Sequence, residues 1–136
     1  MAIAREIKDR HSEGAALGNL GNAYLSLGDY AKAIEYAQQQ LAIVREIKDR
    51  QSEGGVLNNL GLALSNSGNL PAAEKTLLDS IKVLESLRAG LDDANKVSIF
   101  ETQTNPYVIL QKVFIAQKKT NDALEIAERG RARAFV

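Results

Sequence analysis

The sequence contains one stretch twice: Ala2-Ile-Ala-Arg-Glu-Ile-Lys-Asp-Arg10 and, 40 residues later, Ala42-Ile-Val-Arg-Glu-Ile-Lys-Asp-Arg50. Only the third position of the two copies differs. The match continues through Ser12-Glu13-Gly14, which aligns with Ser52-Glu53-Gly54. A match of this length does not arise by chance, and a period of this size is typical of solenoids and similar repeat arrays.

Within one period, the apolar residues have helical spacing. One predicted helix places on a single face the residues Leu17, Leu20, Tyr24 and Leu27. The next places on a single face the residues Ile34, Ala37, Leu41, Val44 and Ile47. Gly28 and Gly68 are suited to end the first helices, and Asp29 and Asn69 to cap the second ones. Each period therefore predicts a pair of helices.

The composition excludes several classes of function. Lysine plus arginine equal aspartate plus glutamate at 17 each, so no net field attracts nucleic acid or an anionic membrane. The absence of cysteine excludes disulfides, thiolate catalysis and sulfur-bound zinc. No apolar run approaches the roughly 20 residues of a membrane span, and the amino terminus lacks the apolar run of a signal peptide. We expect a cytoplasmic protein.

The repeat also carries a family pattern. The first unit shows it in Leu17, Leu20, Gly21, Tyr24, Gly28, Tyr30 and Ala33. The second shows it in Leu57, Leu60, Gly61, Gly68, Leu70 and Ala73, with Leu64 in place of the aromatic residue. A weaker third unit has Tyr107, Leu110, Phe114 and Ala123, with Gln111 and Lys118 at the glycine positions. This pattern resembles that of tetratricopeptide repeats.

Two finer resemblances concern the length of the repeat and the end of the chain. The 40-residue spacing is similar to the repeats of kinesin light chains and of Leu-Gly-Asn-type polarity scaffolds. The segments 90–101 and 123–136 resemble the repeat region that precedes a caspase-like CHAT domain in bacterial proteins. The latter resemblance implies that the chain is the regulatory part of a larger protein.

The predicted architecture is a single all-α domain over residues 1–136, a right-handed α-solenoid of antiparallel helix pairs. It comprises an unpaired leading helix over 2–10, repeats over 12–50 and 52–89, and a degenerate repeat over 94–134. Ser12 and Ser52 are the expected caps of the first two repeats.

A proline interrupts the third unit, where the apolar spacing suggests one long helix over about 94–117. Pro106 disfavours helix at the residue before it, so we expect a kink or a new helix capped by Asn105. A proline tolerated in an ordinary loop is the alternative.

Asparagine is unusually frequent on the first helices, although it is a mediocre helix former. In tetratricopeptide arrays the first helices line the concave side. The resemblance therefore predicts a peptide-binding groove formed by Asn19, Asn22, Leu25, Asn58, Asn59, Leu62 and Lys112. Carboxamides can donate and accept hydrogen bonds to the backbone of an extended peptide. Alternatively, these asparagines only contact water or cap neighbouring turns.

Catalytic and metal-binding patterns are not found. His11 is the single histidine, so it has no second histidine or cysteine with which to form a metal site. The glycines of Gly18-Asn-Leu-Gly21 lack the sequence context of a phosphate loop. We expect no enzyme activity, no metal and no cofactor, unless an effector domain lies beyond Val136.

The sequence favours a scaffold that binds a peptide or partner domain in its groove. The alternative is a structural, self-assembling repeat segment without a peptide ligand. Residues 2–10 and 123–136 each present an apolar stripe with no partner in the predicted array. We therefore also expect a homo-oligomer formed through the terminal helices.

Overall fold

Six helices form the described part of the chain. The computed structural model describes the backbone of residues 2–89 and 105–134, and the side chains of residues 8–87 and 106–131. The helices are α1 (Ala2–Leu27), α2 (Tyr30–Glu46), α3 (Arg50–Asn66), α4 (Leu70–Ala89), α5 (Asn105–Ala116) and α6 (Thr120–Ala134). They pack as the pairs α1–α2, α3–α4 and α5–α6, with α2 against α3 and α4 against α5. No strand occurs over these ranges, and the predicted all-α solenoid of helix pairs is confirmed.

The core continues from each pair into the next. One apolar cluster joins α2, α3 and α4 through Ala37, Leu41, Val44, Val56, Leu57, Leu60 and Val83. A second joins α4, α5 and α6 through Ala73, Leu77, Ile81, Tyr107, Leu110, Val113, Phe114, Ala123 and Ile126. Each pair therefore shares its core with the next, as in other solenoids.

The turns between helices share one backbone conformation. Gly28 and Gly68 have φ values of 81° and 90°, and Lys48 and Lys118 have φ values of 60° and 62°. All four lie in the left-handed region, which glycine adopts without the steric cost that a side chain incurs. Lys118 thus occupies in the third pair the position that Gly28 occupies in the first.

The expected separation of a leading helix from the first repeat is wrong. α1 runs without interruption through residues 2–27, so Ser12 lies inside a helix and caps nothing. The second copy of the same sequence does turn, but its cap is Asp49 instead of Ser52. Asp49 Oδ1 accepts a hydrogen bond from the backbone N–H of Ser52 at 3.2 Å, and Asp49 Oδ2 accepts one from Ser52 Oγ at 2.6 Å.

Packing of α3 against α2 favours the turn in the second copy. Glu53 accepts a hydrogen bond from Arg45 Nε at 3.0 Å, which ties the end of α2 to α3, and one from Arg50 Nη1 at 2.9 Å within α3. The turn also allows α3 to bury its apolar face against α2. Without such contacts, a continuous helix is favoured because every residue keeps its backbone hydrogen bond and none adopts a left-handed conformation.

In the first copy, ion pairs are compatible with the continuous helix. Arg10 donates to Glu13, one turn further along α1, at 2.8 Å, and also to Glu46 at the end of α2. The bond to Glu46, followed by that to Glu13, raises the pKa of the Arg10 guanidinium above its usual value. These exposed pairs join α1 to α2 without requiring a turn.

The predicted apolar face of α1 is only partly buried. Leu20 is 45% exposed and Leu27 is 79% exposed, whereas Leu60, which aligns with Leu20, is 6% exposed. The difference arises because α2 covers this side of α3, while no helix in the described ranges covers the same side of α1. Leu20 and Leu27 therefore lie on the predicted apolar face of α1 but outside the core.

Gly21 and Gly61, equivalent in the repeat, differ in their surroundings. A Cβ atom at Gly61 would lie 2.5 Å from Cδ2 of Leu77, a severe clash. A Cβ atom at Gly21 would lie 3.6 Å from Cβ of Tyr36, an ordinary van der Waals contact. The difference follows from the residue aligned with Leu77, which in the first pair is Ala37.

The third pair begins at Asn105, with Pro106 buried in the first turn of α5. A missing backbone N–H is harmless at this position because the first residues of a helix have no intrahelical acceptor. The expected kink or new helix start at the proline stays a prediction. The part of the expected long helix before Asn105 lies outside the described residues.

Candidate functional site

The carboxy-terminal parts of α1 and α3, and most of α5, carry almost no charge. Residues 14–28 and 54–68 contain no acidic or basic residue, and Lys112 is the single charged residue of α5. The charges are concentrated on α2, α4 and α6 and on the amino-terminal part of α1. The segments 14–28 and 54–68 therefore present an uncharged surface.

The accessible residues of α3 form one stripe. Half-buried residues follow each other at helical spacing along it: Gly55, Asn58, Asn59, Leu62 and Ser65. The opposite side of α3 is buried against its neighbours. On α1, Asn19 and Asn22 are exposed and Leu25 is half-buried, and Lys112 is exposed on α5. All seven predicted groove residues are thus accessible at least in part.

A recess lies between α1 and α3, with α2 behind it. Its lining residues are Gly18, Gly21, Asn22 and Leu25 from α1, Ala33, Ala37 and Gln40 from α2, and Asn59 from α3. It encloses about 250 Å³ of space, part of which is open to solvent. The recess is therefore too small for a drug-sized ligand, whose pockets occupy about 300–1,000 Å³.

The recess brings together Asn22, Leu25 and Asn59, three of the predicted groove residues. Asn19, Leu62 and Lys112 do not line it. Asn58 is half-buried, and its side-chain oxygen is fully buried without a hydrogen-bond partner in the described structure. In this conformation Asn58 does not offer that oxygen to a ligand in the groove.

Gln40 belongs to the recess but was not predicted, because the sequence pattern assigned the groove to first helices alone. Its side chain lies across α1 at Gly18, where a Cβ atom would be 2.5 Å from Nε2 of Gln40. Gly18 therefore makes room for this carboxamide. A run of three glutamines, residues 38–40, was the available signal in the sequence.

A sequence model of the family described as "Tetratricopeptide repeat" matches residues 1–46 and, in a second register, residues 12–86. The chain belongs to the tetratricopeptide repeat family. The matched residues include all of α1, α2 and α3, and therefore every helix that lines the recess. Tetratricopeptide repeats generally mediate protein–protein interactions and generally act as non-enzymatic scaffolds.

Two longer proteins of the family show detailed similarity. The chain is 41% identical over 71 residues to "Tetratricopeptide repeat protein 28" of Mus musculus and equally to that of Homo sapiens. These matches cover 51% of this chain but only 3% of each relative. The similarity therefore concerns the tetratricopeptide units and transfers nothing of what the whole relatives do.

The described ranges give little support for a metal site or a membrane span. His11 is exposed, and its Nε2 lies 3.9 Å from Oδ2 of Asp49, the cap of α3. No group of three or more histidine, cysteine or acidic side chains there could hold a metal ion. None of the described helices has both the length and the apolar character needed to cross a membrane.

Proposed function

We propose that this tetratricopeptide protein binds an extended segment of a partner protein across the uncharged surface of α1 and α3. The observation that carries the proposal is the recess, because it joins Asn22 and Leu25 of one unit to Asn59 of the next. A segment lying across both helices would contact all three residues at once. Residues of α5, including the exposed Lys112, would extend the surface for a longer ligand.

The chemistry of the surface suits a peptide backbone. Each asparagine carboxamide offers two donors and an acceptor, which can pair with backbone C=O and N–H groups whatever the side chains of the ligand. The half-buried leucines Leu25 and Leu62 supply apolar contact beside them. Because the surface lacks charge, its affinity for a peptide should depend little on salt.

The proposal can be tested with a random-peptide display library selected on the immobilised protein. Selected peptides would be synthesised and their dissociation constants measured by calorimetry against the double variant Asn22→Ala and Asn59→Ala. We expect at least about tenfold weaker binding, the equivalent of one or two lost hydrogen bonds. The control is the variant Gln38→Ala and Gln39→Ala, which removes two exposed carboxamides from α2 outside the recess.

If the library yields peptides whose affinity is equal for all three proteins, or yields none, the proposal is wrong. The measurement should be repeated at two salt concentrations. A strong dependence on salt would indicate that selected peptides bind the charged second helices instead.

The place of the chain in a larger protein is also a proposal. The resemblance of residues 90–101 and 123–136 to repeats before a CHAT domain supports a regulatory role for a following effector domain. The length of the repeat supports a relation to kinesin-light-chain-like and Leu-Gly-Asn-like arrays.

The balanced charge and the lack of cysteine favour a cytoplasmic site of action and disfavour nucleic acid as a partner.

A second candidate function, self-assembly, is favoured by the uncovered face of α1. Leu20 and Leu27 are exposed there, and Leu124 is 61% exposed on α6, the last helix described. Exposed apolar faces of this kind often mark an interface. Light scattering should show an oligomer at micromolar concentration that the variant Leu20→Lys dissociates. A monomer at high concentration would eliminate this candidate.

A further inference from the structure

We infer that the exposed face of α5 selects a segment in which an acidic side chain lies beside a large apolar residue. This face, the α5 stripe, consists of Val108, Lys112 and Ile115. The inference rests on the proposed function and names the chemistry of the partner where the bound segment crosses α5. Its basis is that the α5 stripe differs in kind from the equivalent residues of α1 and α3.

The α5 stripe is one continuous face of its helix. Val108, Lys112 and Ile115 follow each other at spacings of four and three residues, which makes them neighbours on a helix surface. All three are exposed, Val108 at 48% and Ile115 at 58%. The opposite face, which includes Leu110 and Val113, is buried in the core that α5 shares with α4 and α6. The stripe is therefore the accessible side of a helix whose other side is already packed.

The α5 stripe continues the proposed binding surface of α1 and α3. With a shift of 50 residues, its three members align with accessible residues of α3, which are Asn58, Leu62 and Ser65. α3 also contacts α5 directly. A segment that crosses α1 and α3 therefore reaches the α5 stripe next.

Lys112 gives this part of the surface a preference for negative charge. Residues 14–28 and 54–68 contain no charged residue, and Lys112 is the single charged residue of α5. No ion pair of Lys112 occurs within the described part of the chain. Its ammonium group can therefore pair with a carboxylate of the partner, whereas a basic side chain there would be repelled. One exposed pair adds only a weak dependence of the affinity on salt.

Val108 and Ile115 add an apolar preference on both sides of this charge. Single exposed apolar residues are ordinary at a protein surface, but these two share one face, and the aligned positions of α3 are polar. Covering them removes apolar area from water, which favours binding. The complement of the α5 stripe is therefore a carboxylate with a large apolar residue beside it.

A carboxylate can belong to an acidic side chain or to the end of a chain, and we assign the acidic side chain. Lys112 is a single cation, and the aligned residues Asn22 and Leu62 supply no second one to hold a terminal carboxylate. A chain end on α5 would also stop the segment there. An aspartate or glutamate side chain needs neither a second cation nor an end of the segment.

The charge preference is tested with peptides selected from the random-peptide library on the unaltered protein, synthesised with free and with amidated carboxy termini. We expect enrichment of aspartate or glutamate beside a large apolar residue. Lys112→Glu should weaken the binding of these peptides about fivefold, because an attraction becomes a repulsion. Peptides with lysine in place of the acidic residue should bind Lys112→Glu about fivefold more tightly than they bind the unaltered protein. The control is Lys75→Glu, at an exposed lysine of α4.

The apolar preference is tested by the double variant Val108→Asn and Ile115→Ser, which installs the aligned residues of the second unit. We expect about tenfold weaker binding of the selected peptides, because the apolar contact is lost. The control is Leu78→Gln, which replaces an exposed leucine of α4 with the residue aligned with it in α2. Because all the altered side chains are exposed, thermal unfolding followed by circular dichroism should show folded variants.

The outcomes distinguish the α5 stripe from the proposed function. If Asn22→Ala with Asn59→Ala weakens binding while the stripe variants do not, the surface binds peptides but the inference is wrong. If the stripe variants weaken binding while Asn22→Ala with Asn59→Ala does not, the stripe binds the segment and the proposed route across α1 and α3 fails. If no variant on either surface affects any peptide, both fail.

Three other results would contradict the inference alone. The first is a set of selected peptides without an acidic and apolar pair. The second is binding only by peptides with a free carboxy terminus, which would show that the α5 stripe takes a chain end. The third is a change in oligomeric state, measured by light scattering, when Val108→Asn and Ile115→Ser leave peptide affinity unchanged. That result would show that a second copy of the chain covers the stripe.

Discussion

Residues 2–28 and 42–68 have closely related sequences but different structures. In the first region the chain forms one helix, α1, from Ala2 to Leu27. In the second it forms the end of α2, a turn at residues 47–49 and then α3. The second region is also more tightly packed, since Gly61 and Leu60 are buried where Gly21 makes looser contacts and Leu20 is exposed.

The comparison shows that the position of a repeated sequence in the array decides whether it forms a turn or a continuous helix. α3 has a neighbour on both sides, so a turn that brings it against α2 buries apolar surface and positions Glu53 between two arginines. In the described structure α1 has a neighbour on one side only. There the local preference for an uninterrupted helix prevails.

Of the expected differences in stability between the two regions, the largest concerns variants of the aligned leucines Leu60 and Leu20. Leu60→Ala should destabilise the protein by about 2–5 kcal/mol, because it removes a buried side chain and leaves a cavity. Leu20→Ala should cost less than about 1 kcal/mol, because this side chain is 45% exposed. Urea unfolding of both variants, at a concentration where the protein is monomeric, provides the measurement. Equal costs would show that something covers Leu20 in solution.

The equivalent glycines provide the next test. Gly61→Ala should destabilise the protein by about 1–3 kcal/mol, because the new methyl group meets Leu77. Gly21→Ala should be neutral or stabilise by up to about 1 kcal/mol, because alanine favours helix and the site has room. Melting temperatures of the two variants should therefore move apart. Similar losses for both would contradict the looser packing of the first pair.

Variants of the aligned glutamates Glu53 and Glu13 should differ less in their free energy of unfolding. Glu53 has a side chain that is 8% exposed and binds two arginines, whereas that of Glu13 is 54% exposed. Glu53→Gln should cost about 1–2 kcal/mol through loss of charge-assisted hydrogen bonds, and Glu13→Gln at most about 0.5 kcal/mol. Urea unfolding at low and high salt would check this. If salt removed the whole difference, Glu53 would be acting as a surface charge.

The smallest expected changes in stability concern the aligned lysines Lys48 and Lys8, and they have opposite signs. Lys48→Gly should stabilise the protein by about 0.5–1 kcal/mol, because Lys48 has a φ of 60° and glycine relieves that conformation. Lys8→Gly should destabilise by about 1 kcal/mol, because Lys8 lies within α1, where glycine is a poor residue. Melting curves of both variants would suffice. Stabilisation by Lys8→Gly would show that the first copy also turns.

Several elements of the candidate site could be predicted from the sequence, because they depend on periodicity. Helical spacing placed Asn22, Leu25 and Asn59 on accessible surfaces of α1 and α3, and the structure finds these three around one recess. Gln40 could not be placed there, because its role depends on the space above Gly18. The buried oxygen of Asn58 could not be foreseen for the same reason, since it results from packing between helices.

The sequence by itself determined the helical repeat, the pairing of helices, the left-handed turns at Gly28 and Gly68, and the absence of charge from residues 14–28 and 54–68. These features follow from local preferences and from apolar spacing, which every copy of the repeat carries with it. Only the tertiary structure decided whether the repeated stretch turns, which leucines are buried and where a recess remains. Those outcomes depend on which neighbours are packed against each copy, and identical residues with different neighbours reach different free-energy minima.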